Sequence, residues 1–165
     1  MSDQLKDVIN KQQKQQNEPD NAHMDDVVQL VGFIIGEEEY AVPILTIQEI
    51  IKPMPWTRVP QTPGYVLGVF NLRGSVIPLI DLRLKFGLPS KKQNEDTRFI
   101  VMKHGDDVAG FVIDRLTMAL RLKKSDIGPA PDTVDGDDTI IEGVGKRETN
   151  ILTILKVNKL LQRDF

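Results

Sequence analysis

Val66-Leu-Gly-Val-Phe-Asn-Leu-Arg-Gly-Ser-Val-Ile-Pro-Leu-Ile-Asp-Leu-Arg83 is the stretch whose reading decides the fold. Its apolar, β-branched run breaks at Asn71, Arg73 and Gly74 and then resumes. Asn71 and Gly74 both tolerate the left-handed backbone of a tight turn, so the segment predicts strand, turn, strand. Asp81 then suits the N-cap of a short helical turn over Leu82–Phe86, which Gly87 and Pro89 end. Arg73 is harder to place. A guanidinium amid so much apolar sequence is costly without a carboxylate partner. Glu49, in Thr46-Ile-Gln-Glu-Ile-Ile51, is likewise an acid inside an apolar strand. Either each points to solvent from its own edge, or the two pair across a barrel surface.

The same texture extends in both directions. Gln29–Ile35 and Tyr40–Pro43 flank a Gly36-Glu-Glu-Glu39 turn and predict a hairpin. Thr46–Lys52 is closed by Pro53 and Pro55, which forbid a long helix. Thr97–Met102 and Val108–Ile113 flank His104-Gly-Asp106 as the clearest hairpin, and Ala119–Lys123, Thr139–Gly143 and Asn150–Leu155 complete the set. Val157, Leu160 and Leu161 have the spacing of a short terminal helix. Strands about ten residues apart, punctuated by Gly and Pro, predict an all-β barrel or sandwich. The polar run Pro89–Asp96 is either a connection between two small barrels or an exposed loop.

With 40% hydrophobic and 27% charged residues, the 165-residue chain has the composition of a globular protein. Only 5% of residues are aromatic, so Val, Ile and Leu must fill the core. No apolar stretch approaches the roughly 18–20 residues that span a bilayer, and the polar amino terminus does not read as a signal peptide. A cytoplasmic address is expected. Residues 1–26 carry the whole net charge of −3, and Lys11-Gln-Gln-Lys-Gln-Gln-Asn-Glu18 is almost devoid of apolar side chains. They are expected to form a flexible polar tail ahead of a body over 27–165. Leu5, Val8 and Ile9 offer one short helical stripe as the alternative.

Reaction chemistry finds little support. The absence of cysteine removes disulfides, thiol nucleophiles and cysteine-ligated metals. His23 and His104 have no second ligand or base at motif spacing, so neither a catalytic nor a metal role is expected. Ser75 lies in Arg-Gly-Ser-Val-Ile rather than on a Gly-x-Ser-x-Gly elbow. Glu142-Gly-Val-Gly-Lys-Arg147 fails as a phosphate loop at both ends, with Ile140 and Arg147 where Gly and Ser or Thr are needed, and reads as a hairpin turn. Asp132–Asp138 puts Pro131 at the first position of a calcium loop and reads as a solvated turn. An acidic pI near 5.4 and scattered lysine pairs argue against nucleic acid, the main rival use of a small barrel. No cofactor is expected, and a role in binding other proteins is.

Ile44-Leu-Thr-Ile-Gln-Glu-Ile50, Thr57-Arg-Val-Pro60, Gly68–Gly74 and Val76–Arg83, continued by Gly110–Asp114, Ile127–Pro131 and Ile140–Gly145, resemble the CheW-like coupling family of bacterial chemotaxis. The likeness covers nearly all of 28–162. The same module occurs in the chemotaxis histidine kinase and in CheV-type scaffolds. Only Arg163-Asp-Phe165 follows it here, which points away from a receiver or kinase domain. The resemblance implies two intertwined five-stranded SH3-like barrels with short helices, no enzymatic activity, and an adaptor between chemoreceptor tips and the regulatory domain of the kinase CheA. It implies a functional acid–base pair at Glu49 and Arg73, and partner contact at Ile47, Gly68, Asn71 and Gly74. Arg98 and Ala119 align to receptor-contact positions, where both replace aliphatic residues.

Overall fold

The computed structural model describes residues 26–129 and 140–162. The expected tail up to residue 25, with His23, the Asp132–Asp138 turn and the last three residues lie outside the described residues, whereas Asp26, expected in the tail, accepts from the Lys124 amide at 2.6 Å. In chain order come β1 (Val27–Ile35), β2 (Glu38–Pro43), a 3-10 turn (Ile44–Thr46), β3 (Ile47–Ile51), β4 (Val66–Leu72), β5 (Ser75–Asp81) and α1 (Leu82–Lys85). They are followed by β6 (Arg98–His104), β7 (Asp107–Ile113), β8 (Arg115–Lys123), β9 (Ile127–Gly128), β10 (Ile141–Arg147), β11 (Asn150–Leu155) and α2 (Val157–Leu160).

These strands form two sheets, ordered β8-β1-β2-β11-β10-β9 and β3-β6-β7-β5-β4. The chain is all-β, built as two SH3-like barrels. One lobe has the five expected strands. The other gains the two-residue β9 as a sixth. Strands 3 to 7 make an inserted lobe that is continuous in sequence, and the strands before and after them make a second, terminal lobe.

The two lobes repeat one path. Each has a hairpin, β1–β2 or β6–β7, turning at a glycine with positive φ (Gly36 at 66°, Gly105 at 61°). Each then has a parallel pairing, β2 with β11 or β7 with β5. Each closes with a second hairpin, β10–β11 or β4–β5, whose turn starts at a non-glycine residue with positive φ (Glu148 at 56°, Arg73 at 52°).

Three cores follow from this arrangement. Phe70, Ile77, Leu79, Phe99 and Val101 fill the inserted lobe. Leu30, Ala41, Leu122, Leu152 and Ile154 fill the terminal lobe. Phe33, Ile35, Val42, Ile100, Met102, Phe111 and Ile113 meet between them, closed by Leu155 and by Val157, Leu160 and Leu161 of the α2 region. Successive side chains of a strand point to opposite faces, so β6 sends Phe99 and Val101 into its own lobe and Ile100 and Met102 into the shared core. That two-faced burial explains the unbroken apolar run Phe99–Met102, since neither face meets water. At about 1.5–3 kcal/mol of gross transfer energy per side chain, Ile100 and Met102 tie this strand to the shared core while Phe99 and Val101 anchor it in its own lobe.

Three sequence expectations need correction. Pro89–Asp96 does not join the lobes, because β5 and β6 on either side of it belong to the same sheet. The chain crosses between lobes at Ile44–Thr46 and at Asp114. Gly145-Lys-Arg147 lies in strand β10, not in a turn, and the turn falls at Glu148–Thr149. Finally, β8 begins at Arg115, four residues before the expected Ala119.

Candidate partner-binding site

The β4–β5 hairpin closes through two residues, Arg73 and Gly74, with φ of 52° and 89°. Two positive φ values define a primed turn, whose twist matches that of the flanking strands. Asn71 braces it by accepting from the Gly74 amide at 2.9 Å. Gly74 supplies the backbone freedom at no cost, whereas Arg73 occupies a region that L-residues with long side chains disfavour.

From that position the guanidinium reaches Glu49. Arg73 Nε donates to Oε2 at 3.2 Å and Nη2 to Oε1 at 3.3 Å, a two-pronged pairing. Glu49 is aimed there by β3, whose pairing with β6 slips between Ile47 and Glu49 so that Gln48 is an extra residue. Such bulges re-aim side chains. The pair is uneven: the Arg73 side chain is 79% exposed and that of Glu49 23%.

Apolar side chains stand in water on the same lobe and at the crossing that leads into it. Val76, directly across the hairpin from Asn71, is 66% exposed, and Leu45, in the crossing before β3, is 96% exposed. Ile50 and Trp56 are each more than a third exposed. Trp56 sets its ring against the edge of buried Phe99 at 6.4 Å, which fixes the indole at the surface. A bidentate ion pair on a lobe that also exposes apolar side chains is suited to protein recognition: apolar groups gain from burial and charges set register.

The other sequence candidates are distributed around this centre. Glu49 pairs with Arg73, and Asn71 with Gly74, at the same hairpin turn. Ile47 is half-buried against the shared core. Gly68 is buried, and a Cβ there would overlap the Thr57 carbonyl, so it lets the Thr57–Arg58 segment lie against β4 and does not itself reach the surface. Arg98 donates from Nη1 to the carbonyls of Glu95 and Thr97 at 2.8 and 2.7 Å. Ala119 is exposed on β8 in the terminal lobe, opposite Val31. The structure therefore does not bring Arg98 and Ala119 into the Glu49–Arg73 contacts. Leu45, Val76 and Trp56 escaped the sequence reading. The available signal was Val76 in Ser75–Asp81, where apolar residues occupy both alternating sets and cannot all point inward.

The described residues contain no group of three or more His, Asp or Glu able to hold a metal. A concavity of about 560 Å³ opens beside Glu37, Glu38 and Glu39 and is lined by Ile34, Arg115 and Thr117, with no nucleophile–base pair. Among the described residues, two groups have clearly shifted titration. Burial, then the hydrogen bond and charge of Glu38, hold the Tyr40 hydroxyl far above its usual range. Burial raises the Asp81 carboxyl, against the lowering effect of the Leu84 and Arg83 amides it caps. Both are explained by packing. Among the described residues no helix is long and apolar enough to cross a membrane.

The family model described as CheW-like domain matches residues 29–165. The chemotaxis protein CheW of Helicobacter pylori is 53% identical over 165 residues, all of both chains. That of Bacillus subtilis is 34% identical over 136 residues, covering 82% of this chain and 87% of its own. The crystal structure of a scaffolding protein, TtCheW from Thermoanaerobacter tengcongensis, superposes with a TM-score of 0.76 at 29% identity, covering 83% of this chain and 94% of its own. The chain belongs to the CheW-like domain family.

Proposed function

We propose that this protein is a non-catalytic chemotaxis adaptor that couples the cytoplasmic tips of methyl-accepting chemoreceptors to the regulatory domain of the histidine kinase CheA. Its body, residues 27–165, makes the contacts, preceded by the polar tail over 1–26. It works in the cytoplasm beside receptor arrays, reaching the membrane through its partners without inserting itself, and it binds neither nucleic acid nor a cofactor. Family membership supports the scaffold role, as do relatives named for chemotaxis and for scaffolding.

The observation that carries the reading is Arg73, a charged residue held in left-handed backbone, 79% exposed and paired to Glu49. Folding gains little from it, because an exposed ion pair is typically worth about 0–1 kcal/mol. A partner that desolvates the pair gives it value. The test is titration calorimetry with the CheA regulatory domain and with a receptor-tip fragment. Reversing Glu49 to Arg is expected to weaken at least one complex by about tenfold or more. Adding Arg73→Glu should recover part of the loss. Unchanged affinity for both partners would remove the site.

A further inference from the structure

Asp114 is the single residue between β7 of the inserted lobe and β8 of the terminal lobe. Its Oδ2 accepts from the Gly36 amide, in the β1–β2 turn of the terminal lobe, at 2.9 Å. The same oxygen accepts from Nη1 of Arg83, on α1 of the inserted lobe, at 2.5 Å. Arg83 Nε donates to the Pro89 carbonyl at 2.9 Å, and the Asp114 amide donates to the Ile34 carbonyl at 3.1 Å. One carboxylate thus ties a turn of one lobe to a helix of the other at the point where the chain crosses. The side chains of Arg83 and Asp114 are only 17% and 11% exposed.

The internal repeat supplies a comparison within the molecule. The hairpin registers equate Pro43 with Val112, and hence Leu45 with Asp114. The parallel pairings equate Ile154 with Leu79, and hence Asn158 with Arg83. At the Ile44–Thr46 crossing, then, a leucine that is 96% exposed stands where the other crossing has the mostly covered carboxylate of Asp114, and an asparagine stands where Arg83 does. The polar tie has been built on one side only. The shared core holds the lobes together, but burial of apolar area is non-directional and constrains their separation more than their angle. Hydrogen bonds to a fixed carboxylate are directional.

We propose that Asp114, with Arg83 and the Gly36 amide, is a one-sided clamp that sets the angle between the lobes. Any partner that touches both lobes meets a geometry fixed at this point, so Asp114 and Arg83 act as positioning residues.

The chain has no cysteine, which allows clean spin labelling. Cysteines replacing Val76 and Ile151, one on each lobe and both about two-thirds exposed, report the angle by pulsed electron resonance. Cysteines replacing Val76 and Lys103 report within the inserted lobe. The double variant Arg83→Met with Asp114→Asn removes the ion pair without stranding a buried charge, so the fold is retained. The inter-lobe distance distribution is expected to broaden about twofold, or to shift, while the intra-lobe distribution stays unchanged. Asp114→Asn alone, which keeps an acceptor for Gly36, should fall between. An inter-lobe distribution identical to that of the parent protein would overturn the clamp. So would equal broadening of both pairs, which would make the residues general supports of the fold.

Discussion

Replacing Arg73 with Asn separates what this residue does for the fold from what it does for binding. Arg73 sits at φ 52° in the first position of a two-residue primed turn whose second position is Gly74. Asn-Gly is the preferred sequence for that turn, because Asn populates left-handed backbone far more readily than a long side chain does. Relief of the backbone is worth about 1 kcal/mol. Against it stands the loss of the Glu49 pair, which at 79% exposure of the guanidinium lies at the low end of about 0–1 kcal/mol. The difference is a gain of roughly 0–1 kcal/mol, or a rise in melting midpoint of up to about 4 °C for a chain of this size. The bracing bond from Gly74 to Asn71 is unaffected, since it involves neither the guanidinium nor Glu49. Binding should move the other way, by about tenfold or more, because the partner would bury an unpaired Glu49. Calorimetric melting and titration with the kinase regulatory domain read the two quantities separately. A fall of more than about 3 °C would show that the ion pair outweighs the turn and refute the reasoning.

Gly68→Ala should cost at least about 2 kcal/mol, because the added methyl drives into the Thr57 carbonyl at a backbone φ of 155°. Hydrogen exchange should localise the damage to the reciprocal Thr57–Val69 bonds, now 2.8 Å each, and uniform loss of protection would contradict that. Asp81→Asn keeps the cap that Oδ1 provides to Arg83 and Leu84 while removing a buried charge. Burial raises the folded pKa of Asp81 above its ordinary 3.8, so its protonated form favours folding, and that contribution is lost as pH rises through the folded value. The variant should therefore be the more stable protein at pH 7, with the gap closing toward acid. Urea denaturation as a function of pH checks this, and a gap that widens in acid would count against it.

How much was legible in the sequence depended on whether local chemistry decided the matter. The hairpins at Gly36, Gly74 and Gly105 could be read because each turn needs left-handed backbone and has glycine there. The Asp81 cap was legible for a similarly local reason, a carboxylate one residue ahead of a helical turn. Lobe assignment was not, because parallel pairings such as Leu79 with Gly110 join strands far apart in sequence and leave no local trace. The polar run 89–96 looked like a boundary, whereas the real crossing at Asp114 is one residue long and has no compositional signal. At the candidate site, Glu49 and Arg73 drew attention as charges in apolar strands, and their side chains do meet. Leu45, Val76 and Trp56 stayed hidden because exposed and buried aliphatic residues look alike in a sequence.

The insertion of one lobe within the other has a consequence for how the protein emerges from the ribosome. Strands 3 to 7 are consecutive, so the inserted lobe has all its strands once residue 113 has left the exit tunnel. The terminal lobe cannot close until β11 is made, because β2 needs it as a parallel neighbour. At about 5–20 residues per second, the stretch from 114 to the end of β11 at Leu155 takes roughly 2–8 seconds to appear. Throughout that interval β1 and β2 present apolar side chains on both faces, with Leu30 and Ala41 waiting for Leu152 and Ile154. The early hairpin is therefore the segment most in need of protection during synthesis, and slowing translation before β11 should raise aggregation more than slowing it before β6.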